Sequence, residues 1–462
     1  MRIAWAVYSL MTHLRTHGLN CAILALIAFV FLVMSIHCGR NPADLSDRLP
    51  VKLLREDYQE LQRLVFASHP MPFVDRAEVL KAFDQHRDLL RDSLTVLEFY
   101  RIASAAVAAV GCSHTELSLP ERLQQQLVKT GGFFPAAITV LHDSLFVRTD
   151  YPDAWSLPTG TIIISINGRP ASEILGKLRD CLPTDGGYLV KKDFLLSESF
   201  NEFYQGFVED IDSFEIAYVL PGANETSRSR VCARTWKEVR SIAQDDTCGR
   251  APDRMRAAID DKAGYAILTI PFFEYGDERE HFVQTVDSLF ATFASHAVHS
   301  LILDLRGNQG GDPRSAAYLL GYLIPKPFAY FSASSVNLHA ELKGLQPIHE
   351  NRFAGKLIVM VNGGVSSTTG HLCSLLKYHR VGIILGTETG GSYACSGGFT
   401  EHDLPNTRLH LLLPHAIFMA AVGRMPSAYR IQPDVEIEPS ISDLLHCTDR
   451  QLDSAKAAIH ER

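Results

Sequence analysis

Apolar positions along this chain fall into two kinds of run. Between Val51 and Val110 they recur at three- and four-residue spacing, in LLREDYQELQRLVFASHP, AEVLKAFDQHRDLL and LTVLEFYRIASAAVAAV, which predicts amphipathic helices, the first broken by Pro70 and Pro72. From Gly264 onward, short continuous apolar runs alternate with helix-like stretches. GYAILTIPFFE (Gly264 to Glu274) reads as a strand and HFVQTVDSLFATFASH (His281 to His296) as a helix. A buried-strand pattern from Ser300 leads to a helical segment at Ala316 to Leu323, and the strand Leu357 to Val361 leads to a helix carrying Leu372, Leu375 and Leu376. Repeated strand and helix order of this kind predicts an α/β core. Between the two regions, residues 120 to 235 read as strands and turns with one helix. Ala137 to Arg148 forms a hairpin pattern around His142-Asp143-Ser144. LPTGTIIISINGRPASEILGKL (Leu157 to Leu178) is a β-branched run, an Asn-Gly turn and a helix. Thr235 to Lys262 is polar and reads as a connection, and Ser334 to Asn351 as a polar loop or lid.

Composition changes this picture little. At 462 residues the chain has room for two or three domains, and 46% apolar with 21% charged residues is ordinary for a globular protein. A net charge of −8 with no Lys/Arg-rich run argues against nucleic acid as a partner. Nine cysteines without CxxC spacing, and no HExxH, indicate neither a structural zinc site nor a metalloprotease, so no cofactor is expected. The N-terminus does change the picture. Arg2 and Arg15 precede an uncharged apolar run from Leu19 to Ile36, at the lower edge of the roughly 17 to 25 residues that span a bilayer, and Cys38 follows it directly. Residues 1–40 are therefore expected to be a lipoprotein signal, an uncleaved membrane anchor or a cleaved signal. In each case the remainder lies in a bacterial cell envelope, outside the cytoplasm.

Candidate chemistry gathers in KLIVMVNGGVSSTTGHLCSLLKYHRVGIILGTETGG (Lys356 to Gly391). A strand ending in small residues and a helix beginning near Ser366 and Ser367 leave a hydroxyl beside unpaired backbone N–H groups, which would stabilise an oxyanion. The same serines could serve only as helix caps. A second stretch, SLILDLRGNQGGDP (Ser300 to Pro313), runs a buried strand into Gly310-Gly311, where backbone can approach a ligand closely.

Together these two stretches resemble the C-terminal-processing (tail-specific) serine peptidase family, in particular the branch like the core protease of tricorn. GTETGG (Gly386 to Gly391), LPNTRLHLLLP (Leu404 to Pro414) and IQPDVEIEP (Ile431 to Pro439) are similar to the family's closing segments. The resemblance covers roughly residues 50 to 440. It implies Ser367 as nucleophile, with Thr368 N–H and one of Gly310 or Gly311 as oxyanion donors. It also implies that Ser113-His114, in GCSHTEL after the N-terminal helices, supplies the general base and a serine beside it. Histidine titrates in the range that such a base requires. The lysine that the tail-specific branch places after its nucleophile is missing, since the matching run is Thr389-Gly390-Gly391-Ser392. Lys377 lies nearly three helical turns, about 15 Å, past Ser367. The branch's orienting glutamate is also missing: no acid lies between Asp403 and Asp434, and Glu388 is the nearest charged candidate in sequence.

The implied architecture is α/β, with an N-terminal helical domain (50–117), a PDZ-like β domain (120–235), a crotonase-like ββα spiral catalytic domain (255–440) and a C-terminal helical tail (441–462). On residue pattern alone, Leu157 to Leu178 fits a generic β domain as well as a PDZ-like one. The expected function is an envelope serine endopeptidase acting on peptide or protein substrates. The rival is an inactive family member that binds a peptide or ligand, which the missing glutamate favours.

Overall fold

The structure is a computed structural model describing residues 44–150, 157–245, 254–274, 276–423 and 430–460. The expected N-terminal signal or anchor, Cys38 included, lies outside them. Among the described residues no helix is long and apolar enough to cross a membrane.

Three helices, Val51–Ser68, Arg76–Arg87 and Val96–Ala108, occupy the region where helical spacing is read. The last begins at a full capping box, Thr95 with Glu98, which satisfies two of its otherwise unpaired donors. Their buried faces, with Leu54, Tyr58, Phe83 and Phe99, do not close on one another alone. Leu404, Leu409, Leu411 and Leu413, from a hairpin late in the chain, complete the same core. That hairpin, strands Ala394–Asp403 and His410–Met419, also pairs its second strand with Glu116–Ser118, matching Leu411 to Leu117. Its turn is clamped by Asp57, 0% exposed, which accepts bonds from Asn406 N (2.9 Å), Asn406 Nδ2 (2.8 Å), Thr407 N (2.7 Å) and Thr407 Oγ1 (2.6 Å). Asp57→Ala would strand the buried Thr407 and half-buried Asn406 backbone donors and the Thr407 hydroxyl, so it should destabilise the protein by about 3 kcal/mol or more. Urea unfolding checks this, and a loss below about 1 kcal/mol would contradict the clamp.

The middle of the chain builds a sheet in the order Ala136–Leu141, Ser144–Asp150, Ile162–Ile166, Ser213–Val219, Ser227–Cys232, with a short strand Arg169–Pro170 beside Ile162–Ile166. The first two strands form the expected hairpin. His142 and Asp143 both carry positive φ (47° and 60°), as a tight hairpin turn requires. Where one helix is expected, three form: Glu121–Thr130, and then a pair, Ala171–Cys181 and Leu189–Phe207, separated by a turn at Asp185–Gly187. The last is tied to the N-terminal helices by Arg101, which donates to the Gly206 and Gln205 carbonyls, and by Tyr100 stacked on Phe207.

The last part is a six-stranded sheet ordered Arg256–Asp260, Tyr265–Thr269, Ser300–Asp304, Lys356–Val361, Ile383–Gly386, Val435–Glu436. It is parallel except for its first pair. Side chains alternate between its faces, as the two-residue period of a strand dictates. Leu301, Leu303, Leu357, Val359 and Val361 pack under helices Gly276–Ser295, Pro313–Leu323 and Thr368–His379. Ile302, Ile358 and Met360 face the C-terminal helix Arg450–His460 through Ala455 and Ile459. Burial on both faces is why these strands read as unbroken apolar runs. The stretch read as a polar connection carries a helix, Trp236–Asp245, and the edge strand Arg256–Asp260. Most of the expected lid is loop, with a single short helical turn at Ala340–Lys343. Arg306, in the DLRGN motif, is a brace: its guanidinium bonds Asp304 and Asp449 and so fixes the start of the C-terminal helix to the end of a central strand.

Candidate active site

Lys356–Val361 ends in Asn362-Gly363-Gly364, and helix Thr368–His379 starts directly after Ser367, which sits at φ 53°, ψ −129°. Positive φ is costly for a residue with a Cβ and persists only where the surroundings impose it. Ser367 makes no side-chain cap bond to its helix. Its Oγ lies instead 3.2 Å from His114 Nε2 and 3.8 Å from Cys395 Sγ. The Ser366 hydroxyl faces elsewhere, 3.1 Å from Lys191 Nζ and 3.4 Å from the Gln309 carbonyl. The adjacent hydroxyls thus have separate partners: Ser367 meets the His114 imidazole and Ser366 the Lys191 amine.

His114 reaches Ser367 across 253 residues of sequence because the two strand pairings and the Asp57 clamp fasten the N-terminal helices to the late hairpin. It sits in a tight turn closed by Thr115 N donating to Cys112 O at 3.1 Å. Its Nδ1 is 3.2 Å from Ser113 Oγ, which donates in turn to Asp185 Oδ1 at 2.9 Å. The Ser113 backbone N–H donates to the same oxygen at 2.8 Å. Asp185 is 2% exposed. A carboxylate can only accept, so the Ser113 hydroxyl must point its proton at Asp185 and its lone pair at His114. That places the imidazole proton on Nδ1 and leaves Nε2 as an acceptor for the Ser367 hydroxyl. The Asp185 turn is docked on the His114 turn by Gly186 N–H donating to Gly111 O at 3.0 Å.

Gly310 and Gly311 both have positive φ, 112° and 132°. A Cβ on Gly310 would lie 2.8 Å from Ser367 Cβ, and one on Gly311 would overlap the Phe273 carbonyl, so neither position admits a side chain. The Gly310 N–H already donates to Asn308 Oδ1 at 2.9 Å. Of the glycine pair, Gly311 therefore keeps the amide without an acceptor among the described residues, as does Thr368 at the helix start. The two loops are stitched together by Thr368 Oγ1 to Gly311 O (2.6 Å) and Thr369 Oγ1 to Asn308 Oδ1 (2.6 Å).

Glu388 does not approach His114. Its carboxylate pairs with Arg430 (3.0 Å) and accepts from Gln432 Nε2 (2.7 Å), whereas the carboxylate bonded to the Ser113 beside His114 is that of Asp185. Lys377 is spent on the Gln432 carbonyl and Asp434. Ser392, at the absent lysine's place, is buried and carries no charge. His371, one turn past Ser367, is 1% exposed, and burial, aided by the charge of His114, pushes it down to about 3, leaving it neutral. Two residues of this site carry little sequence signal. Asp185 sits in a short Thr-Asp-Gly-Gly turn between helices. Lys191, 2% exposed, donates from the following helix to Gln309 Oε1, Gly364 O and Ser366 Oγ, bracing both catalytic loops.

Residues 264–437 match the model of peptidase family S41. The chain also resembles the crystal structure of mature CPAF (11% identity, 88% of this chain and 97% of that one, TM-score 0.62). Mature CPAF complexed with lactacystin is similar too (12%, 88% and 98%, TM-score 0.64). At this identity the likeness carries the fold. The photosystem II D1 C-terminal processing protease also aligns, at 16% identity over 88% of this chain and 97% of that one, with TM-score 0.44. No curated protein matches.

Proposed function

We propose, for a serine-type peptidase whose residues 264–437 place it in family S41, an endopeptidase mechanism run by Ser367, His114, Ser113 and Asp185. Ser367 attacks a peptide carbonyl as His114 Nε2 takes its proton, and His114 then returns that proton to the leaving amine. The Gly311 and Thr368 amides receive the oxyanion. Ser113 and Asp185 hold the imidazole in the reactive tautomer and stabilise the imidazolium that forms. The observation that carries this reading is the 3.2 Å contact between His114 Nε2 and Ser367 Oγ at a strained turn. The inactive-binder alternative loses its main support, because Asp185 supplies the orienting acid that the sequence seemed to lack. Incubation of the full-length protein with casein should yield internal fragments that Ser367→Ala does not produce. An intact substrate after prolonged incubation would return the binder reading.

Asp185 is a positioning residue, and its removal should separate rate from binding. The amide of Asp185→Asn can donate to Ser113 and so reverse the direction of the relay, removing the acceptor for His114 Nδ1–H. We expect kcat to fall about 10²- to 10⁴-fold with KM nearly unchanged. Equal loss in both, or full activity, would contradict the role.

The sheet between residues 136 and 232 is read as the PDZ-like domain, with Ser227–Cys232 as an open edge that can take a peptide strand. The six-stranded sheet with its helices is read as the crotonase-like spiral. Envelope location rests on the apolar N-terminal run ending at Cys38, and the disulfide at Cys447 agrees with an oxidising compartment. If Cys38 is lipidated, fatty-acid labelling should vanish in Cys38→Ala, and equal labelling of both forms would sink that anchor.

A further inference from the structure

Cys112, His114 and Asp185 converge on one buried point, and we propose that they bind a soft divalent cation, Zn2+ by chemistry, whose occupancy turns the peptidase off. Each residue offers one ligand atom, and the three atoms lie within 4.8 Å of one another. Nitrogen, oxygen and sulfur ligands on zinc, at about 2.0 to 2.3 Å, stand roughly 3.5 Å apart, so small side-chain rotations would close the site. A second observation points to the same place. Asp185 is 2% exposed, its Oδ1 accepts two bonds, and its Oδ2 has no hydrogen-bond partner among the described residues. A buried carboxylate oxygen without a donor is the group a cation satisfies best. Cys112 is 0% exposed and takes no part in the proton relay. A divalent ion would displace its thiol proton, and one thiolate with one carboxylate would leave the buried site neutral. Thiolate, imidazole and carboxylate together select zinc over calcium or magnesium. The fourth position is left for water or for Ser113 Oγ.

Inhibition follows from which ring nitrogen the ion takes, and this step rests on His114 being the base. Nδ1 faces Ser113, which bonds Asp185, while Nε2 faces Ser367. A metal on Nδ1 moves the imidazole proton to Nε2, where it blocks acceptance of the Ser367 proton. The Cys112 proton leaves to solvent and nothing is oxidised.

Cobalt tests the site without reference to activity. Titrating the metal-free full-length protein with Co2+ should produce a thiolate-to-cobalt charge-transfer band at one equivalent, absent in Cys112→Ala and in Cys112→Ser. With Zn2+ the wild type should lose fluorophosphonate labelling and regain it on chelation, while both variants should need at least about tenfold more zinc. No band in the wild type, or an undiminished band in either variant, overturns the site. A cobalt band with labelling that zinc leaves untouched overturns the inhibition. Failure of labelling before any metal is added counts instead against the Ser367–His114 mechanism.

Discussion

Ser367→Ala should abolish peptide cleavage, a loss on the order of 10⁶-fold if the serine, base and oxyanion donors act as a unit. Ser366→Ala should leave most of the activity. The two hydroxyls are neighbours in sequence but not in chemistry. The strained backbone at Ser367 turns its Oγ to His114, whereas Ser366 Oγ is engaged by Lys191 and the Gln309 carbonyl. Losing the Ser366 hydroxyl removes one acceptor from Lys191, which keeps Gln309 Oε1 and Gly364 O, so the loops should hold with a loss of about tenfold or less. Casein cleavage by the two variants decides between them, and the reverse ranking would move the nucleophile by one residue.

His114→Ala should cost nearly as much, about 10⁴- to 10⁶-fold, because among the described residues no other imidazole or amine bonds the Ser367 hydroxyl. Lys377 is bonded to Asp434 and the Gln432 carbonyl, and His371 lies edge-on to Tyr330 and Phe331 with neither ring nitrogen hydrogen-bonded among the described residues. Lys377→Ala should therefore change turnover less than twofold. Acidification should mimic the loss, because an imidazolium has no lone pair at Nε2 to accept the Ser367 proton. A His114→Ala enzyme with normal turnover, or a Lys377→Ala enzyme without any, would overturn the assignment.

How much of this was legible in the sequence follows from how local each signal is. The central strands announce themselves because both faces are buried: Leu301 to Leu303 and Leu357 to Val361 have no solvent side to break the apolar run. The edge strand Arg256–Asp260 is partly exposed along its length and looks like a linker. Leu189–Phe207 is interrupted at Ser199 (φ −143°, ψ 39°), which blurs its helical period. In the site, Ser367, the glycine pair and Ser113-His114 stand in recognisable local motifs. Asp185 does not, because its value lies in two bonds to Ser113, 72 residues away, and a carboxylate in a glycine turn is ordinary. Glu388 was attractive through its place beside GTETGG, yet nearness in sequence put it against Arg430 rather than His114. The core shared between Leu54 and Leu411 was likewise invisible, since each run is amphipathic on its own terms.

Activation of Ser367 by His114 is the claim on which the rest depends, and an active-site-directed fluorophosphonate read out by peptide mapping tests it most directly. The wild type should carry a single adduct on Ser367, formed at a rate that drops at least about a hundredfold in His114→Ala. No adduct on the wild type, or an adduct forming at Ser367 equally fast without His114, would contradict the account.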